Sequence, residues 1–290
     1  MEAIFNSMKS IRIRISLIVV IATMNFQACS FFKVSYHEDT KTAKQLYRTL
    51  LETNQHIGSC KGIVKTSTHG FDFQLNERLA FISQQKHNLR VEMLSPFGAI
   101  GSPFMLICNE KKVYATGRLL PDTYLANTHS IMLKQMLPIQ MTPREIIDCL
   151  HGRIPISKGM RARFDSKSSQ KTLILSKGLI WKTRNKIFLN NHNNQVQSVE
   201  KYNRFNQLIY RILFEQYRDY QNETIPGQIT FVNASNQSLT INIQSYWPNC
   251  TIKNKSFQIN KNDQQNAEKG VFSCLVSFLT APVRYIKQSF

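Results

Sequence analysis

Carboxylates are scarce in this chain: 18 Asp and Glu stand against 37 Lys and Arg over 290 residues, a net charge of +19. Cysteine is sparse too, six in all, which excludes a disulfide-built scaffold. Eleven Gly and nine Pro are too few for a collagenous or low-complexity chain. Disorder is excluded from the other side, because 18 Phe and 10 Tyr bring apolar surface that must be buried. The seven His are scattered, no H-E-x-x-H occurs, and neither G-x-S-x-G nor a phosphate loop of the G-x-x-x-x-G-K-[ST] type is present. No carboxylates form an obvious acid/base pair, and no two Cys share metal-ligand spacing. The expectation is therefore no catalytic residue, no metal, no cofactor and no enzyme. A strongly basic globular chain remains, 42% hydrophobic and long enough for one sizeable core.

A membrane-spanning run is also missing. The apolar stretch Ile15–Phe26 has 12 residues, whereas a spanning helix needs about 20. It follows Lys9, Arg12 and Arg14 and ends at Gln27-Ala28-Cys29, the layout of an export signal. Phe26-Gln27-Ala28-Cys29 resembles the bacterial lipobox, with Phe26 where Leu is usual and Gln27 where a small or hydroxyl residue is usual. The resemblance implies a lipoprotein signal peptide over 1–28 and acylation (palmitate) of Cys29. Each buried methylene of such an anchor contributes about 0.8 kcal/mol. Ser30 follows the Cys where Asp would retain the protein at the inner membrane in the enterobacterial pattern, so a periplasm-facing outer-membrane address is expected.

Loss of residues 1–28 removes Lys9, Arg12, Arg14 and Glu2 and leaves a net charge of about +17. Export argues against nucleic acid and leaves anionic headgroups or acidic cargo as partners. The alternative is a solvated basic background. The other five cysteines, Cys60, Cys108, Cys149, Cys250 and Cys274, are odd in number and read mostly as small core residues, with room for one disulfide that sequence does not choose.

Residues 29–40 read as a lipidated Cys and tether. Ala43, Leu46, Tyr47, Leu50 and Leu51 then fall on one face of a helix ending near Gln55. Strands are predicted over 62–64, 78–82, 89–94, 104–108 and 113–115, then 172–175, 186–189, 196–200, 208–214, 228–232 and 238–243. Leu89, Val91 and Met93 alternate with Arg90 and Glu92, while 104–108 is apolar on both faces. Between the two sets lie a short apolar segment (Ile131, Leu133, Met136, Leu137) and a helix opened by Thr142-Pro143-Arg144-Glu145. There Thr caps, Pro takes the first helical position and Glu reaches back, and Gly152 closes the helix. Asn190, Asn191, Asn193, Asn194, Asn203 and Asn206 punctuate the later strands as turns. About 11 strands with helices between the sets describe a mainly β (α+β) chain whose antiparallel sheet must curve to hide its apolar side. Residues 261–290 form a basic and apolar C-terminal tail, read either as a helix packing on the domain or as a membrane-surface segment.

This order is similar to that of the LolA/LolB superfamily of periplasmic lipoprotein carriers and receptors, specifically the LolB-like outer-membrane lipoproteins. The residues that carry the resemblance are Leu94-Ser95-Pro96-Phe97-Gly98-Ala99-Ile100-Gly101, the run from Thr142 to Gly152 with Arg153-Ile154-Pro155, and a late strand pair ending in Ser245-Tyr246-Trp247. It covers roughly 42–260, within a domain placed at 41–260. The resemblance implies an unclosed β-barrel with a helical lid over an apolar cavity that takes up lipoprotein acyl chains. It also implies a membrane-insertion loop, here Gly98, Ala99, Ile100 and Gly101, with Ile100 as the exposed apolar position. By strand parity the expected cavity lining is Leu79, Phe81, Val91, Met93, Met105 and Ile107. The expected function is an outer-membrane receptor that accepts acylated lipoproteins from a soluble periplasmic LolA-like carrier and helps insert them among outer-membrane lipids. The alternatives are a binding module for another lipid or glycolipid, or a structural lipoprotein with a packed interior.

Overall fold

In the computed structural model of the chain, the described residues are 36–71, 76–84, 87–94, 104–110, 112–116, 124–127, 140–178 and 183–258. The chain divides into two units, Met1–Thr42 and Ala43–Phe290. Helix α1 (Tyr36–Glu52) starts inside the stretch read as a tether, and its buried residues Ala43, Tyr47 and Leu50 belong to the second unit. The expected acylation position Cys29, the expected insertion loop Gly98–Gly101, the apolar segment around Ile131 and the tail 261–290 lie outside the described residues.

The second unit is built on one antiparallel sheet. Its strands are β1 (Ser59–His69), β2 (Arg78–Gln84), β3 (Asn88–Met93), β4 (Met105–Cys108), β5 (Lys112–Thr116), β6 (Tyr124–Asn127) and β7 (Arg161–Phe164). The later ones are β8 (Thr172–Lys177), β9 (Thr183–Leu189), β10 (Val196–Tyr202), β11 (Leu208–Glu215), β14 (Gln228–Asn233) and β15 (Ser238–Pro248). Thirteen strands run in the order β6-β5-β4-β3-β2-β1-β15-β14-β11-β10-β9-β8-β7, and β6 and β7 do not pair with each other, so the sheet is not closed. A separate ribbon pairs β12 (Arg218–Tyr220) with β13 (Glu223–Ile225). All eleven predicted strands are present. β6, β7, β12 and β13 were not predicted, and their four-residue or shorter runs have too few alternations to show a period of two.

Register defines an inner face. Across the ladders Leu173 opposes Ile187, Ile187 opposes Val199, Val199 opposes Ile212, Ile212 opposes Phe231 and Phe231 opposes Leu239. On the other side of the sheet's centre Ile243 opposes Val64, Val64 opposes Leu79, and Leu79 opposes Met93. These side chains form one apolar core with those of α1 and of helix α2 (Pro143–Leu150). Each fully buried Leu, Ile or Phe contributes roughly 1.5–3 kcal/mol, so this face is the main source of stability.

The predicted capping box at α2 is present: Thr142 Oγ1 accepts from Glu145 N at 3.3 Å, and Glu145 Oε2 accepts from Thr142 N at 2.8 Å. Gly152 ends the helix at φ +67, where a Cβ would run into Ile225 and Asn54. Asn194 and Asn206 hold left-handed turn conformations, as their type predisposes them to. Gly152→Ala combines a left-handed penalty of about 1–2 kcal/mol with this steric conflict. We expect it to lower the unfolding free energy by at least that much, read as a fall in the urea midpoint at unchanged slope.

Candidate functional site

The surface that bears most of the predicted lining residues is the inner face of β2–β4 under α2. Leu79, Phe81 and Met93 are buried there and Val91 is half-buried against the same core. Leu79 opposes Met93 and Phe81 opposes Val91. Phe81 lies across Gly62 of β1, where a Cβ would sit 2.5 Å from its ring, so the bare glycine backbone is what seats this aromatic. Beyond β3, Leu106 opposes Val91 and Cys108 opposes Leu89. Val91, Phe104, Leu106 and Ile146 of α2 are all partly exposed and packed on the core, and Val91 pairs directly with Leu106, so the apolar surface around β3 and β4 is incompletely covered.

Met105 and Ile107 are not part of this surface. They oppose Glu92 and Arg90, on the outer face, and gather with Tyr114 in a separate small cluster. The expectation carried odd numbering from β3 into β4, but Leu89 opposes Cys108, so odd positions of β3 share a face with even positions of β4. Because β4 is apolar on both sides, its own pattern holds no phase; only the register supplies it. Leu106 and Phe104 are the residues that sequence reasoning missed.

Polar groups fasten α2 at both ends. At its start, Glu145 Oε1 accepts from Lys201 Nζ of β10 at 2.5 Å and from Tyr210 OH of β11 at 2.9 Å. Burial raises the Glu145 pKa, but Lys201, Thr142 and Tyr210 together outweigh it and leave the carboxyl below its ordinary value. At its end, buried His151 lies 3.1 Å from Ser83 Oγ of β2 through Nε2 and 3.1 Å from the Ile57 carbonyl through Nδ1. Arg153 donates to the same carbonyl at 3.2 Å and abuts Nδ1. The Ile57 carbonyl only accepts and the guanidinium only donates, so the two contacts at Nδ1 call for opposite tautomers, while the Ser83 hydroxyl can pair with Nε2 in either. Burial, with Arg153 beside it, holds the His151 pKa down to about 3.

These ties suit a curved sheet. β2 and β11 are four steps apart in the sheet, about 19 Å if flat at 4.8 Å per step. Glu145 and His151 are about 9 Å apart along a helix axis. The Glu145, Tyr210 and His151 side chains span the remainder, and a sheet bent around the helix shortens what they must span.

Three of the described cysteines are buried and unreactive. Cys60, Cys108, Cys149 and Cys250 are free thiols, and burial pushes Cys60 and Cys108 up to about 12 and Cys149 well above its ordinary value. Among the described residues no His, Cys, Asp and Glu cluster could hold a metal, and no helix is long and apolar enough to cross a membrane. A cleft of about 450 Å³ beside β10 and β11 is lined largely by Gln170, Gln195, Gln197 and Gln216, which suits no hydrocarbon.

His151 sets a pH dependence. Its folded pKa lies below the unfolded value of 6.5, so the unfolded chain binds the extra proton between the two. Its contribution to stability is complete above about pH 6.5 and declines as pH falls toward about 3, by at most about 1.4 kcal/mol per pH unit. Thermal melts across this range should show that slope in the native protein and a shallower one in His151→Gln. At the other tie, Glu145→Ala removes the cap and strands Lys201, and a loss of about 2–4 kcal/mol is expected in urea titration.

No family model matches this chain, and no curated protein matches its sequence. Its fold does have solved counterparts. A LolA superfamily protein from Nitrosomonas europaea superposes with TM-score 0.50 at 14% identity, covering 75% of this chain and 97% of the other. A domain of the outer-membrane lipoprotein-sorting type from Vibrio parahaemolyticus gives 0.50 at 12% identity, covering 77% and 98%. A DUF1329 family protein from Desulfovibrio piger gives 0.52 at 8% identity, covering 76% and 97%. At these identities the likeness is one of fold: an open antiparallel sheet of the LolA type with helices on its apolar face.

Proposed function

We propose that this protein shelters acyl chains of lipoproteins or of another lipid between α2 and the inner face of β2–β4. The observation that carries the reading is the partly exposed apolar seam formed by Val91, Phe104, Leu106 and Ile146. An acyl chain in water costs about 0.8 kcal/mol per methylene, and a seam already part-open to solvent is where a tail would enter. In this reading the curved sheet acts as an unclosed barrel, α1 and α2 as its lid, and the cavity forms as α2 separates from β3. The fold shared with lipoprotein-sorting proteins supports it.

The finer reading is an outer-membrane lipoprotein, acylated at Cys29, that accepts acylated lipoproteins from a soluble periplasmic LolA-like carrier and releases them into the membrane through the loop Gly98–Gly101. Transfer of this kind makes and breaks no covalent bond. The close packing of Leu79, Phe81 and Met93 favours one competitor, a structural lipoprotein with a filled interior.

A fluorescent fatty acid and mass spectrometry of noncovalently copurified lipid separate the two. The shelter reading expects bound acyl lipid and probe uptake. Leu106→Glu should weaken uptake at least 10-fold by placing a charge on the seam, whereas Met105→Glu, one residue away on the outer face, should change it less than three-fold. Absence of both lipid and uptake in the full chain would establish the filled interior instead.

A further inference from the structure

The outer face of β7–β11 carries a second feature, independent of the acyl seam. Register aligns two rows of side chains there. In one, Arg163 opposes Ile174, which opposes Lys186, then Glu200, then Arg211. In the other, Arg161 opposes Ser176, then Arg184, then Tyr202. Glu200 is the one carboxylate in these rows. It accepts from Arg211 Nε at 2.8 Å and from Tyr202 OH at 2.6 Å, so it is committed within the lattice. Arg161, Arg163, Arg184 and Lys186 stand in the rows without an acidic register neighbour other than that one. The Arg184 and Lys186 cations lie 5.0 and 5.7 Å from the Tyr202 ring centroid, which spaces them across the surface.

The second row ends beside the β10–β11 turn, residues 203–207. At its tip Phe205 is 62% exposed, the most exposed large apolar side chain among the described residues. The turn is rigid: Asn203 Oδ1 accepts from the backbone N of Phe205 and of Gln207, each at 2.9 Å, and Asn206 sits at φ +64. Arg204 places its guanidinium 4.8 Å from the Phe205 ring centroid, and Arg184 donates to the Asn206 side chain. The result is an aromatic ring held out from a hydrogen-bonded hairpin, with the Arg204 guanidinium against it and the basic rows behind it.

We propose that this face docks on an anionic phospholipid surface, with Phe205 entering the headgroup boundary and the four bases neutralising lipid phosphates. Charge complementarity is one argument. Shape is the other. A protein partner would need a pocket matched to a protruding ring, whereas a bilayer accepts an aromatic wedge anywhere on its surface. The acyl seam lies on the opposite face of the sheet, so a protein docked this way keeps that seam turned off the bilayer until it tilts or opens.

The test is flotation of the full chain with vesicles of phosphatidylcholine and phosphatidylglycerol at 3:1 and of phosphatidylcholine alone. Native protein should prefer the anionic vesicles at least 10-fold, with the preference shrinking as salt rises. At roughly five-fold per basic side chain, Arg163→Ser/Arg184→Ser/Lys186→Ser should weaken anionic binding on the order of 100-fold. The same charge loss placed elsewhere, Lys44→Ser/Lys65→Ser/Lys158→Ser, should weaken it less than 10-fold. Phe205→Ser should cost several-fold and Phe205→Trp should restore it. Thermal melts confirm that each variant is folded, and Phe205, at an exposed tip, gives a readout even if the triple variant is not. Equal losses in the two triple variants, no effect at Phe205, or retention on polyglutamate-coated beads without vesicle binding would each overturn the proposal. Fatty-acid uptake stays native in Phe205→Ser, which separates this outcome from failure of the acyl-shelter reading.

Discussion

The attachment of α2 at both ends is the constraint on which the second unit depends. Glu145 bonds to strands on one side of the sheet's middle and His151 to a strand on the other. Between those strands lie β1, β15 and β14, and an eight-residue helix spans them through its side chains. A flat sheet of thirteen strands would leave its apolar face in water; a bent one hides it against two helices. The His151 ties are buried and the Glu145 ties part-buried, so breaking one partner leaves a charge or donor poorly satisfied.

Curvature also determines what the inner face can do. Most of the inner face is close-packed, Cys108 of β4 and Val113 of β5 included, and coverage is incomplete at a few positions around β3 and β4. Val91, Leu106 and Phe104 lie there, still apolar but partly wet. In the proposed reading, lipid binding and structural stability draw on the same surface. The polar ties that hold α2 down are the interactions any opening must trade against.

The outer face follows different chemistry. Over β7–β11 it carries two rows of bases around the committed Glu200, with Glu215 farther along β11, while at β3–β4 it carries the Arg90–Glu92 pair and the small Met105, Ile107 and Tyr114 cluster. Arg90 also donates to the Ser256 carbonyl at 3.0 Å, tying the short 3₁₀ turn Asn254–Phe257 to that part of the sheet. The chain's excess of positive charge is therefore organised in at least one region, and the net charge alone would not have located it.

Local signals were legible wherever a few neighbouring residues decide the outcome. The Thr142–Glu145 capping box, the closing Gly152, the Asn turns, the apolar stripe of α1 and the alternation of β3 are each set by interactions within about four residues, and each was readable from the residue types. Pairings between distant strands decided the rest. The face to which Met105 and Leu106 point depends on a ladder with β3, because an apolar strand has no polar side to orient it. The basic rows on β7–β11 join Arg161 to Arg184 and Arg163 to Lys186, neighbours through hydrogen-bond register and not through sequence. A one-residue slip would exchange every one of these side chains between core and solvent, which is why tertiary structure, and not composition, determined both candidate surfaces.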